Sequence, residues 1–83
     1  MSDLEEDPAY RPVSCATHDQ FEIAILHRTP LRLRWIERNV LHDQAVTPVD
    51  IETTNHQEFL IARSATGETV RLRLDWIRDA RPI

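Results

Sequence analysis

Two runs of strict alternation constrain this chain more than anything else in it. Leu31, Leu33 and Trp35 alternate with Arg32 and Arg34, and Val70, Leu72, Leu74 and Trp76 alternate with Arg71, Arg73 and Asp75. Successive side chains of a strand point to opposite faces, so each run predicts a strand with one buried and one solvated side. Phe59 to Arg63 reads as a third, short apolar strand. Ala65, Thr66, Gly67 and Glu68 follow it with the only glycine of the chain, which predicts a hairpin turn into the run at Val70. Glu37, Arg38 and Asn39 predict a second turn. From Val40 to Thr54 the pattern is broken by Pro48, and alternation returns in Val49, Asp50, Ile51 and Glu52, so this middle reads as two short strand pieces.

One helix is predicted ahead of the strands, from His18 to about Arg28. Thr17 followed three residues later by Gln20 matches a capping box, and Pro30 stops the helix. At 100° per residue, Phe21, Ala24 and Ile25 share one side with the stem of Arg28. Asp19 and Glu22 fall on another side, with Leu26 between them. A helix followed by four or five antiparallel strands predicts a mainly β domain. Its expected form is a small, strongly bent sheet or partly open barrel, capped by the N-terminal helix.

Length allows one core and little else. A chain of 83 residues commits most of its apolar side chains to holding the fold together. Residues 1–9 read as an acidic, flexible tail and residues 10–83 as a single domain. No apolar run reaches the roughly 18 to 20 residues that a membrane helix needs. Met1 to Tyr10 carries acids where a signal peptide would carry bases and then an apolar stretch, so a cytoplasmic location is expected. The lone Cys15 excludes an internal disulfide and reads as a buried small hydrophobe. No catalytic framework surrounds Ser14, Cys15, Thr17 and His18, and a single glycine leaves no phosphate-cradling loop. His18, His27, His42 and His56 lack metal-ligand spacing. No enzyme activity, cofactor or metal is expected.

Charge is placed unevenly. The first 27 residues hold six acids and one arginine, whereas the rest holds nine arginines against eight acids. A net charge of −4 is the wrong sign for a domain that neutralises phosphates. Asp19 and Glu22 are candidates for pairing with a partner's arginines, or else they stabilise the positive end of their own helix. Ile23 and Leu26 lie beside them as the apolar centre of a charged rim, or as core. A competing reading uses Arg32 and Arg34 of one strand with Arg71 and Arg73 of another. If those strands pair, four guanidinium groups share a face able to hold single-stranded RNA, as oligonucleotide-binding barrels do.

The segment Tyr10, Arg11, Pro12, Val13, Ser14, Cys15, followed by Asp19, Phe21, Glu22 and Ala24, resembles the opening of the Rof proteins, the Rho-binding antiterminators of bacteria. Glu58, Phe59, Leu60, then Gly67, Glu68, Thr69, and Leu72 to Ile77 are similar to that family's hairpin and closing strand. The resemblance spans roughly Tyr10 to Pro82. It implies an Sm-like fold and a protein inhibitor that binds the N-terminal, oligonucleotide-binding domain of the Rho hexamer and keeps RNA from its primary site. It also implies that Asp19, Glu22 and the loop at Asn55 and His56 touch Rho; His18, Ile23 and Leu26, beside those acids on the helix, are further candidate contacts, and Tyr10 either contacts the partner or anchors the entering chain across the sheet. The chain is expected to be monomeric when free and to bind no nucleic acid directly. Where the family has acids directly after the cysteine, this chain has Ala16, Thr17 and His18, and the family's basic residues are missing near Thr54, Asn55 and His56.

Overall fold

A computed structural model of the chain describes residues 10–83; the predicted tail, residues 1–9, lies outside the described residues. The elements run α1 (Cys15–His27), β1 (Leu31–Glu37), β2 (Val40–Thr54), β3 (Gln57–Ser64), β4 (Thr69–Arg73), one turn of 3-10 helix (Leu74–Trp76) and β5 (Ile77–Pro82). The five strands form one antiparallel sheet in the order β4-β3-β2-β1-β5. The fold is therefore mainly β with one N-terminal helix, as predicted, and the sheet is open.

The connection from β4 to β5 fixes the curvature. These strands lie at opposite edges of the sheet, and on a flat sheet four strand spacings would part them by about 19 Å. Only Leu74–Trp76 joins them, and a 3-10 turn advances roughly 2 Å per residue. The sheet must bend until its edges approach one another, which gives the small Sm-like shape without closing it.

The core lies inside this bend. Phe21 and Ala24 of α1 join Leu33 and Trp35 of β1, Val46 of β2, Leu60 of β3 and Leu72 of β4 in one buried cluster. Each large apolar side chain so buried contributes about 1.5–3 kcal/mol relative to exposure. The predicted inward set of the helix is thus correct for Phe21 and Ala24, with Ile25 half-buried against the core. Trp35 is buried and Trp76 half-buried, both on the core side.

Four sequence expectations need correction. The helix begins at Cys15, because Ser14 rather than Thr17 is the cap: its hydroxyl accepts the Thr17 N–H at 3.2 Å. Gln20 does not reach back to close a capping box and donates instead to the Ala80 carbonyl. Cys15 is exposed, since it stands on the first turn away from the sheet. Val40–Thr54 is one strand of 15 residues, not two pieces. β1 begins at Leu31 opposite Val46, so Pro48 sits where β2 has a strand neighbour on one side only, and a bulge between Pro48 and Asp50 absorbs the irregularity. Finally, the strand predicted to run from Val70 to Trp76 ends at Arg73, and Leu72, Arg73 and Leu74 are all buried in succession.

Candidate protein-binding surface

The outer side of α1 carries the residues singled out by sequence. Asp19 and Glu22 are exposed, and Ile23 and Leu26 are 58% and 76% exposed although apolar. The sheet covers one side of the helix only, which is why neither aliphatic side chain is core. Residues at i, i+3 and i+4 are neighbours on a helix, so Glu22, Ile23 and Leu26 form one patch with Asp19 at its N-terminal border. Because the helix starts at Cys15, no acid lies in its first turn. Neutralising the helix dipole therefore does not account for Asp19 and Glu22.

Glu58 of β3 holds the entering chain and the helix against the sheet. Its Oε2 lies 3.0 Å from His18 Nε2, and its Oε1 accepts the Tyr10 hydroxyl at 3.1 Å. His18 Nδ1 is 3.6 Å from Glu22 Oε2, one helical turn on. Burial, with the Glu58 hydrogen bond and charge, pushes the Tyr10 phenol up to about 12. Tyr10 is thus half-buried and anchors the entering chain to the sheet.

A second tie lies beside it. Arg73, 2% exposed, grips Asp75 through Nε–Oδ1 at 2.8 Å and Nη2–Oδ2 at 2.6 Å, and Asp75 Oδ2 also accepts the Arg11 N–H at 3.0 Å. Burial alone would raise the Asp75 carboxyl. The hydrogen bonds from Arg73 and Arg11 and the Arg73 charge outweigh it and hold the group below its usual 3.8.

Glu58 pairs with Thr53 in the register of β2 and β3, two residues from the hairpin tip. Asn55 and His56 form that tip in left-handed conformation (φ 53° and 63°) and are exposed. One carboxylate thereby joins Tyr10 and His18, with Glu22 one helical turn on from His18, the Asn55–His56 tip two residues from Glu58 along the hairpin, and Asp19, Ile23 and Leu26 along the helix. Sequence reading missed the role of Glu58, and no local pattern signals it: its partners lie 40 and 48 residues away.

The arginine face does not form. β1 and β4 are separated by β2 and β3, so the two arginine pairs do not adjoin. Arg73 is buried on Asp75. Arg71 pairs with Glu52 at 2.9 Å and covers the Phe59 ring, and Arg32 and Arg34 both face Asp43, at 2.9 and 3.9 Å. As for metals, the ligand atoms of His18, Asp19 and Glu22 lie within 4.8 Å of one another. They are successive neighbours on one helix, and His18 is already engaged by Glu58.

The result is a small, open Sm-like sheet whose helix offers an acidic, partly apolar outer face. Residues 12–82 match the family described as modulator of Rho-dependent transcription termination (ROF), and the chain belongs to that family. The family is one of regulators, not of enzymes. Among solved structures, the proteasome accessory factor B/C (PafBC) of Arthrobacter aurescens is similar in fold, with a TM-score of 0.71 at 19% identity. That similarity covers 87% of this chain and 12% of the other, much longer one. No curated protein matches the chain.

Proposed function

We propose that the protein modulates termination by binding Rho directly, through the outer face of α1 and the β2–β3 hairpin tip, and by occluding the RNA site of Rho's N-terminal domain. The observation that carries this reading is the exposure of Ile23 and Leu26 beside Asp19 and Glu22. An apolar centre with a charged border is the anatomy of a protein interface. A site built to attract phosphates has a positive field, and carboxylates on a rigid helix enter it by the same attraction. The free protein acts as a monomer in the cytoplasm, and the contacts come from Asp19, Glu22, His18, Ile23 and Leu26, with Asn55 and His56 at the edge.

Purified Rho loaded with labelled oligocytidine tests it. The protein displaces RNA from Rho and does not shift the free oligonucleotide. Asp19→Lys with Glu22→Lys removes displacement while circular dichroism stays unchanged, and raising salt weakens the wild-type effect. Undiminished displacement by the double variant would remove the helix from the proposal.

A further inference from the structure

Most arginines of this chain already have acceptors. Arg32 and Arg34 face Asp43, Arg71 faces Glu52, Arg73 faces Asp75 and Arg81 faces Asp79, while Arg78 donates to the carbonyls of Asp75 and Trp76. Arg28 and Arg63 make no such pair among the described residues. Both line one groove of about 720 Å³ beside the last turn of α1. Its apolar walls are Ile25 and Leu26 from the helix and Pro48 and Val49 from the β2 bulge. Leu26 and Val49 are 76% and 47% exposed there.

The local sequence explains the opening. β1 begins opposite Val46, leaving the following part of β2 without a neighbour on that side, and the extra residue of the bulge turns Val49 outward. Pro48 has no N–H to offer and the bulge breaks the ladder, so the edge disfavours an added strand. Recognition in this groove falls to side chains.

We infer that the groove binds a short acidic peptide segment of a partner protein, with an aliphatic side chain seated between α1 and Val49 and flanking carboxylates on Arg28 and Arg63. The charge complementarity is direct: two exposed guanidinium groups without acids of their own border an aliphatic floor, and guanidinium suits carboxylate in bidentate geometry. A nucleic acid fits less well. No aromatic ring lines the groove for base stacking, and the chain's net charge of −4 opposes a polyanion. The groove shares Leu26 with the proposed Rho face, but the inference does not rest on that reading, because its charged contacts, Arg28 and Arg63, lie outside the acidic face of the helix.

Nuclear magnetic resonance on the full-length, isotope-labelled protein tests it with a short blocked peptide alternating aspartate and leucine. The expected result is saturable movement of the amides of Ile25 to Thr29, Thr47, Val49, Asp50 and Arg63, weakened by salt. Arg28→Asn with Arg63→Gln lowers the affinity at least about tenfold, the loss of charge-assisted hydrogen bonds. Asparagine tolerates the left-handed backbone of Arg28 (φ 53°), and both positions are exposed, so the amide spectrum elsewhere stays that of the wild type. Equal binding of a peptide with asparagine in place of aspartate would overturn the inference. So would an unaltered affinity in the double variant, no movement at these amides, or oligocytidine moving them in place of the peptide.

Discussion

His18 Nε2 lies 3.0 Å from Glu58 Oε2, and the other oxygen of the same carboxylate takes the Tyr10 hydroxyl at 3.1 Å. One side chain of β3 thereby fixes the entering chain and the first turns of α1 relative to the β2–β3 hairpin. The helix face and the hairpin tip are held in a set relation before any partner arrives. Preorganisation of this kind lowers the ordering cost of binding.

Tyr10 reports on that tie, because it is the only tyrosine in the chain. Its phenol stays neutral up to about 12, against 10.0 in the unfolded chain. A raised pKa stabilises the fold fully below pH 10.0, and this stabilisation is lost as pH rises through the folded value. Ultraviolet titration of the phenolate should show the high midpoint. Glu58→Gln should lower it while leaving it above 10.0, since burial is the larger cause. A midpoint unchanged by Glu58→Gln would contradict the assignment of the hydrogen bond.

Asp75 works in the opposite direction. Its carboxyl is held below 3.8, so its contribution is complete above pH 3.8 and is lost as pH falls through the lower folded value. Asp75→Asn should destabilise the protein by about 1.5–3 kcal/mol, because it removes the carboxylate that takes two charge-assisted hydrogen bonds from Arg73 and one from the Arg11 N–H. Urea unfolding at neutral pH measures the loss, and the variant's acid limb should be flatter than the wild type's. Equal stability of the two proteins would mean that the Asp75 carboxylate adds nothing to the fold.

The alternating runs and the helix are legible because each writes a local period into the sequence. The failures are equally specific. Ser14 and Thr17 both offer a capping hydroxyl, and nothing local ranks them; the chain uses the earlier one. Pro48 argues against a continuous strand unless one knows that β1 begins opposite Val46, which is tertiary information. Arg73 follows the outward phase of its run yet is buried, because the chain leaves strand geometry at Leu74 and Asp75 turns back onto it. At the candidate surface, Asp19, Glu22, Ile23 and Leu26 follow from helical projection alone. Glu58, which positions their neighbours, depends on contacts too distant in sequence for any pattern to record.

The aliphatic part of the helix face separates binding from folding. Ile23 and Leu26 touch little of the core, so Ile23→Gln with Leu26→Gln should change unfolding stability by no more than about 0.5 kcal/mol per site, as expected of exposed positions given a good helix former. Affinity for Rho should fall at least about tenfold if these side chains form the centre of the interface. Calorimetric titration against Rho, paired with thermal unfolding, measures both. A binding isotherm like the wild type's would leave the acids alone as the contact.

His56 offers the converse case, in which stability should rise as binding falls. It occupies the second position of the hairpin tip at φ 63°, where a side chain costs about 1 kcal/mol that glycine avoids. Asn55 before it already suits a left-handed turn, so His56→Gly creates the Asn-Gly pair that such hairpins favour. The variant should unfold at higher temperature by several degrees, about 4–8 °C per kcal/mol for a domain of this size. The imidazole is exposed and hydrogen-bonds to no described residue, so nothing in the fold requires it. If the tip meets Rho, the same change removes a contact and lowers affinity despite the firmer fold. A more stable protein that binds Rho as before would confine the interface to α1.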